Sequence, residues 1–129
     1  MVPTALAVLL PRPFLAPDAV RPLDVEAGTR RFDWERDGWL GALDTLTPVA
    51  ETADAERGDC EDYAFVAASW ALAHGRDGVG VAVCFDPLPS HVVAFDDERV
   101  YSTGEGIVRG SGGDYLAATE YRWALRRRL

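Results

Sequence analysis

A chain of 129 residues is long enough for one domain with its own core, and a domain of that size folds without disulfides or a structural metal. Its formal charge of -8 and pI of about 4.6 argue against non-specific nucleic-acid binding. No apolar run approaches the roughly 20 residues of a membrane-spanning helix, so no membrane span is expected.

Residues 1–25 hold Pro3, Pro11, Pro13, Pro17 and Pro22. Proline gives up its ladder donor and resists the helix interior, which predicts an extended or irregular arm. Within the arm, Val2 to Leu10 is apolar but lacks a basic leading region and runs into Pro11-Arg12-Pro13. It reads as a short strand or packed arm rather than a signal peptide, and the expected location is cytoplasmic or particle-associated. Arg30 to Leu46 predicts a helix, with Trp34, Trp39, Leu40, Leu43 and Leu46 close to a 3.6-residue stripe, although Gly38 and Gly41 weaken it. Pro48 ends or interrupts that element, and Glu51 to Arg57 is a polar link or a short helical turn.

Gly58 and Asp59 suit a turn and an N-cap. The run from Cys60 to His74 is apolar on nearly every face, which predicts a helix buried in the domain centre. His74-Gly75 supplies its end. Strands are predicted over Val79 to Phe85, His91 to Phe95 and Arg99 to Ser102, with Asp86-Pro87-Leu88-Pro89 and a polar turn, Asp96-Asp97-Glu98, between them. Ile107 and Val108 continue the sheet, and Gly110-Ser111-Gly112-Gly113 is a flexible loop. Glu120 to Arg126 alternates as a strand, with a helix from Tyr115 as the alternative. Helices and strands segregated along the chain predict a single α+β domain over residues 1–129, the central helix packed on an antiparallel sheet.

Cys60 falls at the predicted start of the central helix, where the positive end of the helix dipole favours a thiolate. Asp59, Glu61 and Asp62 flank it; they would oppose the thiolate unless an imidazolium partner outweighed them. His91 heads a strand after a proline-bounded loop, a common setting for a catalytic base, whereas His74 suits a helix end. A third group should orient the imidazole, and Ser102, Asp96, Asp97 and Glu105 are the candidates. Asp96 and Asp97 read as solvated turn residues, and Ser102 lies across the hairpin from His91. Cys84 sits in a buried-strand pattern as a small hydrophobe, and two cysteines make no disulfide framework. Cys60, His74, Cys84 and His91 lack the paired spacing of structural zinc sites, so no metal is expected.

The run Gly58-Asp59-Cys60-Glu61-Asp62-Tyr63-Ala64, then a buried helix, then Ser90-His91-Val92-Val93 on a strand, resembles the bacterial transglutaminase-like cysteine proteinases. These belong to the wider papain-like and transglutaminase-like group, and the similarity spans roughly residues 30 to 125. The resemblance implies Cys60 as nucleophile, His91 as general base and an acid on the next strand, where this chain has Ser102. Glu61 and Asp62 match the motif too, with Asp59 as local support for the helix start or the cleft. An oxyanion hole would use the Cys60 N–H and one further donor, for which Trp39 and Trp34 are candidates. The implied chemistry is acyl transfer through a thioester on a peptide or protein amide, without a cofactor. Water as acceptor makes a peptidase or amidase; an amine makes a crosslinking enzyme. The competing expectation is a non-catalytic binding or assembly module, suggested by the serine, the small size and the proline-rich arm. Arg122, Arg126, Arg127 and Arg128 form either a contact surface for an acidic partner or a solvated tail.

Overall fold

The computed structural model describes residues 2–22, 33–34, 45–46, 48–55, 57–58, 60–85, 89–102, 106–110 and 123–128. The arm is not extended. It starts with a two-residue strand, β1 (Val2–Pro3), and continues as α1 (Thr4–Leu9), a 3-10 turn (Arg12–Phe14) and α2 (Pro17–Val20). The prolines stand where helices tolerate them: Pro11 caps the 3-10 turn, Pro13 lies in its first turn, and Pro17 opens α2. At a helix start the missing N–H has no intrahelical partner to lose. Ala7, Val8 and Val20 are fully buried in the main core, so the arm is part of the domain.

The expected helix over Arg30 to Leu46 is replaced at both ends by strand. β2 (Asp33–Trp34) pairs in parallel with β4 (Arg57–Gly58), and β3 (Thr45–Leu46) pairs antiparallel with β1. Backbone pairing to distant segments overrides the helical spacing of the apolar residues there. The middle of that segment, with Trp39, Leu40 and Leu43, lies outside the described residues. The polar link is a helix of seven residues, α3 (Val49–Ala55), with Thr52 N–H donating to the Pro48 carbonyl at 3.0 Å. Pro48 therefore stands directly before a helix. Val49 and Thr52, three apart on one face, are buried.

The central helix, α4 (Cys60–Ala73), is buried at every position from Asp62 to Ser69, as its all-round apolar pattern demands. Within it the buried Ser69 Oγ accepts the Ala16 N–H at 3.0 Å and ties the arm to the helix. The helix ends in a Schellman motif: Arg76 N–H reaches the Ala71 carbonyl and Gly75 N–H the Leu72 carbonyl. Gly75 takes the left-handed φ of 69° that this motif requires.

Five antiparallel strands follow, β5 (Gly80–Phe85), β6 (Pro89–Phe95), β7 (Arg99–Ser102), β8 (Gly106–Arg109) and β9 (Trp123–Arg128). Their order in the sheet is β8-β7-β6-β5-β9, a meander with the last strand returning to the far side of β5. The tail is thus a strand over 123–128; the helical alternative from Tyr115, the glycine loop at 111–113 and Arg122 lie outside the described residues. Alternation along the strands sorts the sheet into two faces. Val81, Val83, Val92, Ala94 and Tyr101 join the core of α4, while Ala82, Cys84, Val93 and Val100 form a second cluster with Phe95 and Val108. Both faces are buried, and the domain is α+β with α4 on one side of an antiparallel sheet.

Candidate functional site

Helix α4 and strand β6 run in the same sense. The C-terminal end of α4 is marked by Trp70, whose ring meets Tyr101 edge-on at 6.4 Å, and Tyr101 is the ladder partner of Ala94. Just past the helix, Arg76 reaches Asp96, which follows β6. The 14 residues of α4 span about 20 Å at 1.5 Å per residue. Its first residue, Cys60, therefore lies toward the start of β6, where His91 sits. Cys60 follows directly on the segment that carries β4, which is pinned to β2 with Trp34 opposite Gly58. The backbone of Trp34 is thus two residues from Cys60 in register, while Trp39 and Asp59 lie outside the described residues, as does the Glu61 side chain. Asp62 is buried.

No disulfide joins Cys60 and Cys84. Cys60 keeps 9% of its surface and His91 keeps 8%. His91 is the ladder partner of Cys84, and one position further Phe85 is opposite Pro89, which leaves Ser90 as an extra residue in β6. Such a bulge bends the strand and re-aims the side chains beside it. His91 Nε2 lies 2.7 Å from Ser102 Oγ, a buried hydrogen bond from β6 to β7. If Nε2–H donates, Nδ1 keeps its lone pair and can take a proton; if the hydroxyl donates, Nδ1 carries the hydrogen. Serine supplies no charge in either case, so it orients the ring without balancing an imidazolium as a carboxylate would.

The two faces of the sheet bear on this arrangement. Cys60 belongs to the core shared by α4, Val92 and Ala94, whereas Cys84 and Val93 belong to the other face. Strict alternation from Val93 sets His91 with Cys84 and Ser102 on the side away from α4. Contact between His91 and Cys60 then requires the ring to turn around the end of the sheet, at the bulge.

The other candidates for the orienting group lie elsewhere. Glu105 is outside the described residues, and Asp97 is exposed at the opposite end of β6. Asp96 is not solvated, as its turn position suggested, but 2% exposed. Its Oδ2 accepts from Arg76 Nε and from Tyr101 OH at 2.6 Å, and its Oδ1 accepts the backbone N–H groups of Glu98 and Arg99 at 2.8 and 2.9 Å. Burial pushes its carboxyl up, but these donors, Arg76 first, outweigh that and hold it below the usual carboxylate value. The Tyr101 phenol is pushed well above its ordinary value by burial and by its bond to Asp96. Arg99 donates to Tyr101 OH at 2.9 Å, and its guanidinium lies over the rings of Trp70 and Tyr101, at 5.6 and 5.1 Å. His74, just past α4, stacks on Trp70 at 4.4 Å and bonds the Arg21 carbonyl at 2.9 Å, in keeping with a helix-end role. This network was not anticipated from the sequence, because Arg76 and Asp96 carry no spacing signal that joins them. Among the described residues, no three or more His, Cys, Asp or Glu side chains cluster to hold a metal ion.

No protein-family model matches the chain, and no curated protein or solved structure matches it either.

Proposed function

We propose that the protein is a cysteine hydrolase of transglutaminase-like type, acting on a peptide or protein amide, with α4 and the sheet as a papain-like core. The observation that carries this reading is the buried 2.7 Å bond between His91 Nε2 and Ser102 Oγ, which holds an imidazole at the same end of the fold as the helix-start thiol of Cys60. The thiol lies at the positive end of the α4 dipole, which favours a thiolate over a thiol. In the proposed cycle the Cys60 thiolate attacks the amide carbonyl, and the Cys60 N–H is one donor to the resulting oxyanion. His91 gives a proton from Nδ1 to the leaving amine as the C–N bond breaks and the thioester remains. Water then attacks the thioester, His91 takes its proton, and the carboxylic acid leaves as the thiolate re-forms. An amine in place of water would give a new amide by the same steps.

A second reading, a non-catalytic binding or assembly module, is favoured by two observations. The triad's acid position holds an uncharged serine, and alternation sets His91 on the side of the sheet away from α4. In that case the edge strand β9, which ends in Arg126-Arg127-Arg128, is the proposed contact for an acidic partner.

Alkylation with iodoacetamide from mildly acidic to mildly alkaline pH, read residue by residue by mass spectrometry, separates the two. The enzyme reading expects Cys60 to react at near-neutral pH, far ahead of Cys84, and to slow at least tenfold in His91→Ala. Cys60 labelling that follows an ordinary thiol titration and ignores His91→Ala overturns it.

A further inference from the structure

We propose that Cys84 is a positioning residue for His91: its side chain packs across the ladder against the imidazole and holds the ring where Ser102 bonds Nε2. This rests on the reading of His91 as the general base: the grip sets the resting position of the ring on the Cys84 face, from which it turns at the bulge toward Cys60.

Cys84 and His91 are direct partners in the β5–β6 ladder. Residues directly opposite point to the same face, with Cβ atoms about 4.5–5.5 Å apart. Ser102 holds the ring from the other side, from β7, at 2.7 Å. The imidazole is therefore gripped between two neighbouring strands, by a thiol on β5 and a hydroxyl on β7. The grip is needed at this place in the sheet. Cys84–His91 is the last regular pair before the register shifts, and Ser90, next to His91, is the extra residue of the bulge. Beyond that point the ladder constrains the strand less, and packing must fix the ring instead.

The residue type fits the task. Cys84 is 1% exposed and packs with Ala82, Val93 and Val100, so substrate cannot reach it and it makes no bridge to Cys60. A thiol is larger than the methyl of alanine, polarizable and well suited to an aromatic edge. Alanine would leave a gap beside the ring, and valine would add a branch where the ring lies.

The full chain labelled with 15N in its histidine rings tests this, since it has only two histidines, His74 and His91, and His91→Gln assigns the signals. The ring 15N shifts and ring N–H exchange of His91 are compared in the wild type, Cys84→Ala, Cys84→Val and Val83→Ala. Val83 is the neighbour of Cys84 on the opposite face of β5 and controls for lost stability. Cys84→Ala should speed His91 ring N–H exchange at least tenfold and shift its ring nitrogens, as should Cys84→Val, while Val83→Ala leaves both unchanged. A wild-type ring signature in the two Cys84 variants, or an equal change in Val83→Ala, overturns the proposal. If the ring loosens but Cys60 alkylation keeps its wild-type rate and pH profile, the positioning role stands and the acyl-transfer reading falls.

Discussion

Asp96→Asn isolates the charge at the centre of the buried network between β6 and β7. Asparagine keeps an oxygen for the N–H groups of Glu98 and Arg99, but its amide nitrogen replaces the Oδ2 that receives Arg76 and Tyr101. A lost hydrogen bond to a charged group costs about 1.5–3 kcal/mol, and breaking a buried ion pair costs about 3–5 kcal/mol. The Arg76 side chain keeps 26% of its surface and can rehydrate, which sets the expected loss near the low end, about 3 kcal/mol. For a chain of this length that lowers the melting temperature by about 10 °C. Urea unfolding followed by tryptophan fluorescence measures it, with Trp70 as a probe inside the cluster. The pH dependence has a definite sign. The Asp96 carboxyl is held below its ordinary value of 3.8, so its contribution is present above that value and is lost as pH falls through the lower folded value. The gap between wild type and Asp96→Asn should therefore be full at neutral pH and narrow in acid. A loss below about 1 kcal/mol, or a gap that does not change in acid, would refute the assignment of Asp96 as a paired, ionised carboxylate.

Ser102→Ala removes the hydroxyl bonded to His91 Nε2 and should cost about 1–3 kcal/mol in chemical unfolding; on the proposed function it also slows Cys60 alkylation at near-neutral pH. Tyr101→Phe takes away the hydroxyl shared by Asp96 and Arg99 and should lower stability by about 1–3 kcal/mol in the same assay. Gly75→Ala meets open space but must adopt a φ of 69°, for a loss of about 1–2 kcal/mol. Gly78→Ala should cost more than Gly75→Ala, because a Cβ at its φ of 71° would overlap the Asp97 carboxylate; equal melting temperatures for the two would contradict this.

What was legible in the sequence was local. Strand β7 lies over Arg99 to Ser102 as expected after the polar turn, and α4 starts at Cys60 and ends just before His74-Gly75, where an apolar run meets a left-handed glycine. The arm packs into the core, as expected for Val2 to Leu10, but is helical rather than extended or irregular, because proline at the first helical position permits what proline in the interior forbids, and spacing alone does not tell Pro17 from an interior proline. Arg30 to Leu46 carried a helical stripe, yet its ends at Asp33–Trp34 and Thr45–Leu46 are held by strands remote in the chain. Cys60, His91 and Ser102 could be singled out residue by residue, and the bond between the last two joins neighbouring strands as their hairpin suggests. Which side of the sheet His91 occupies could not be read, because that depends on where α4 packs relative to Val92 and Val93. Asp96 looked solvated beside exposed Asp97 and Glu98, since its main partner, Arg76, lies beyond an intervening hairpin.

The place of β9 in the sheet also sets an order of events in folding. The connections from β5 through β8 are short, and short hairpins close within microseconds. β9 must instead return from beyond β8 to lie along β5, with Ala124 opposite Cys84, and distant pairings of this kind come slowly. Cys84 is therefore sealed on its second side only when the last strand arrives. Its loss of reactivity toward a fast thiol reagent during refolding is a clock for the closing of the sheet, running inside a residue that the finished protein keeps out of reach.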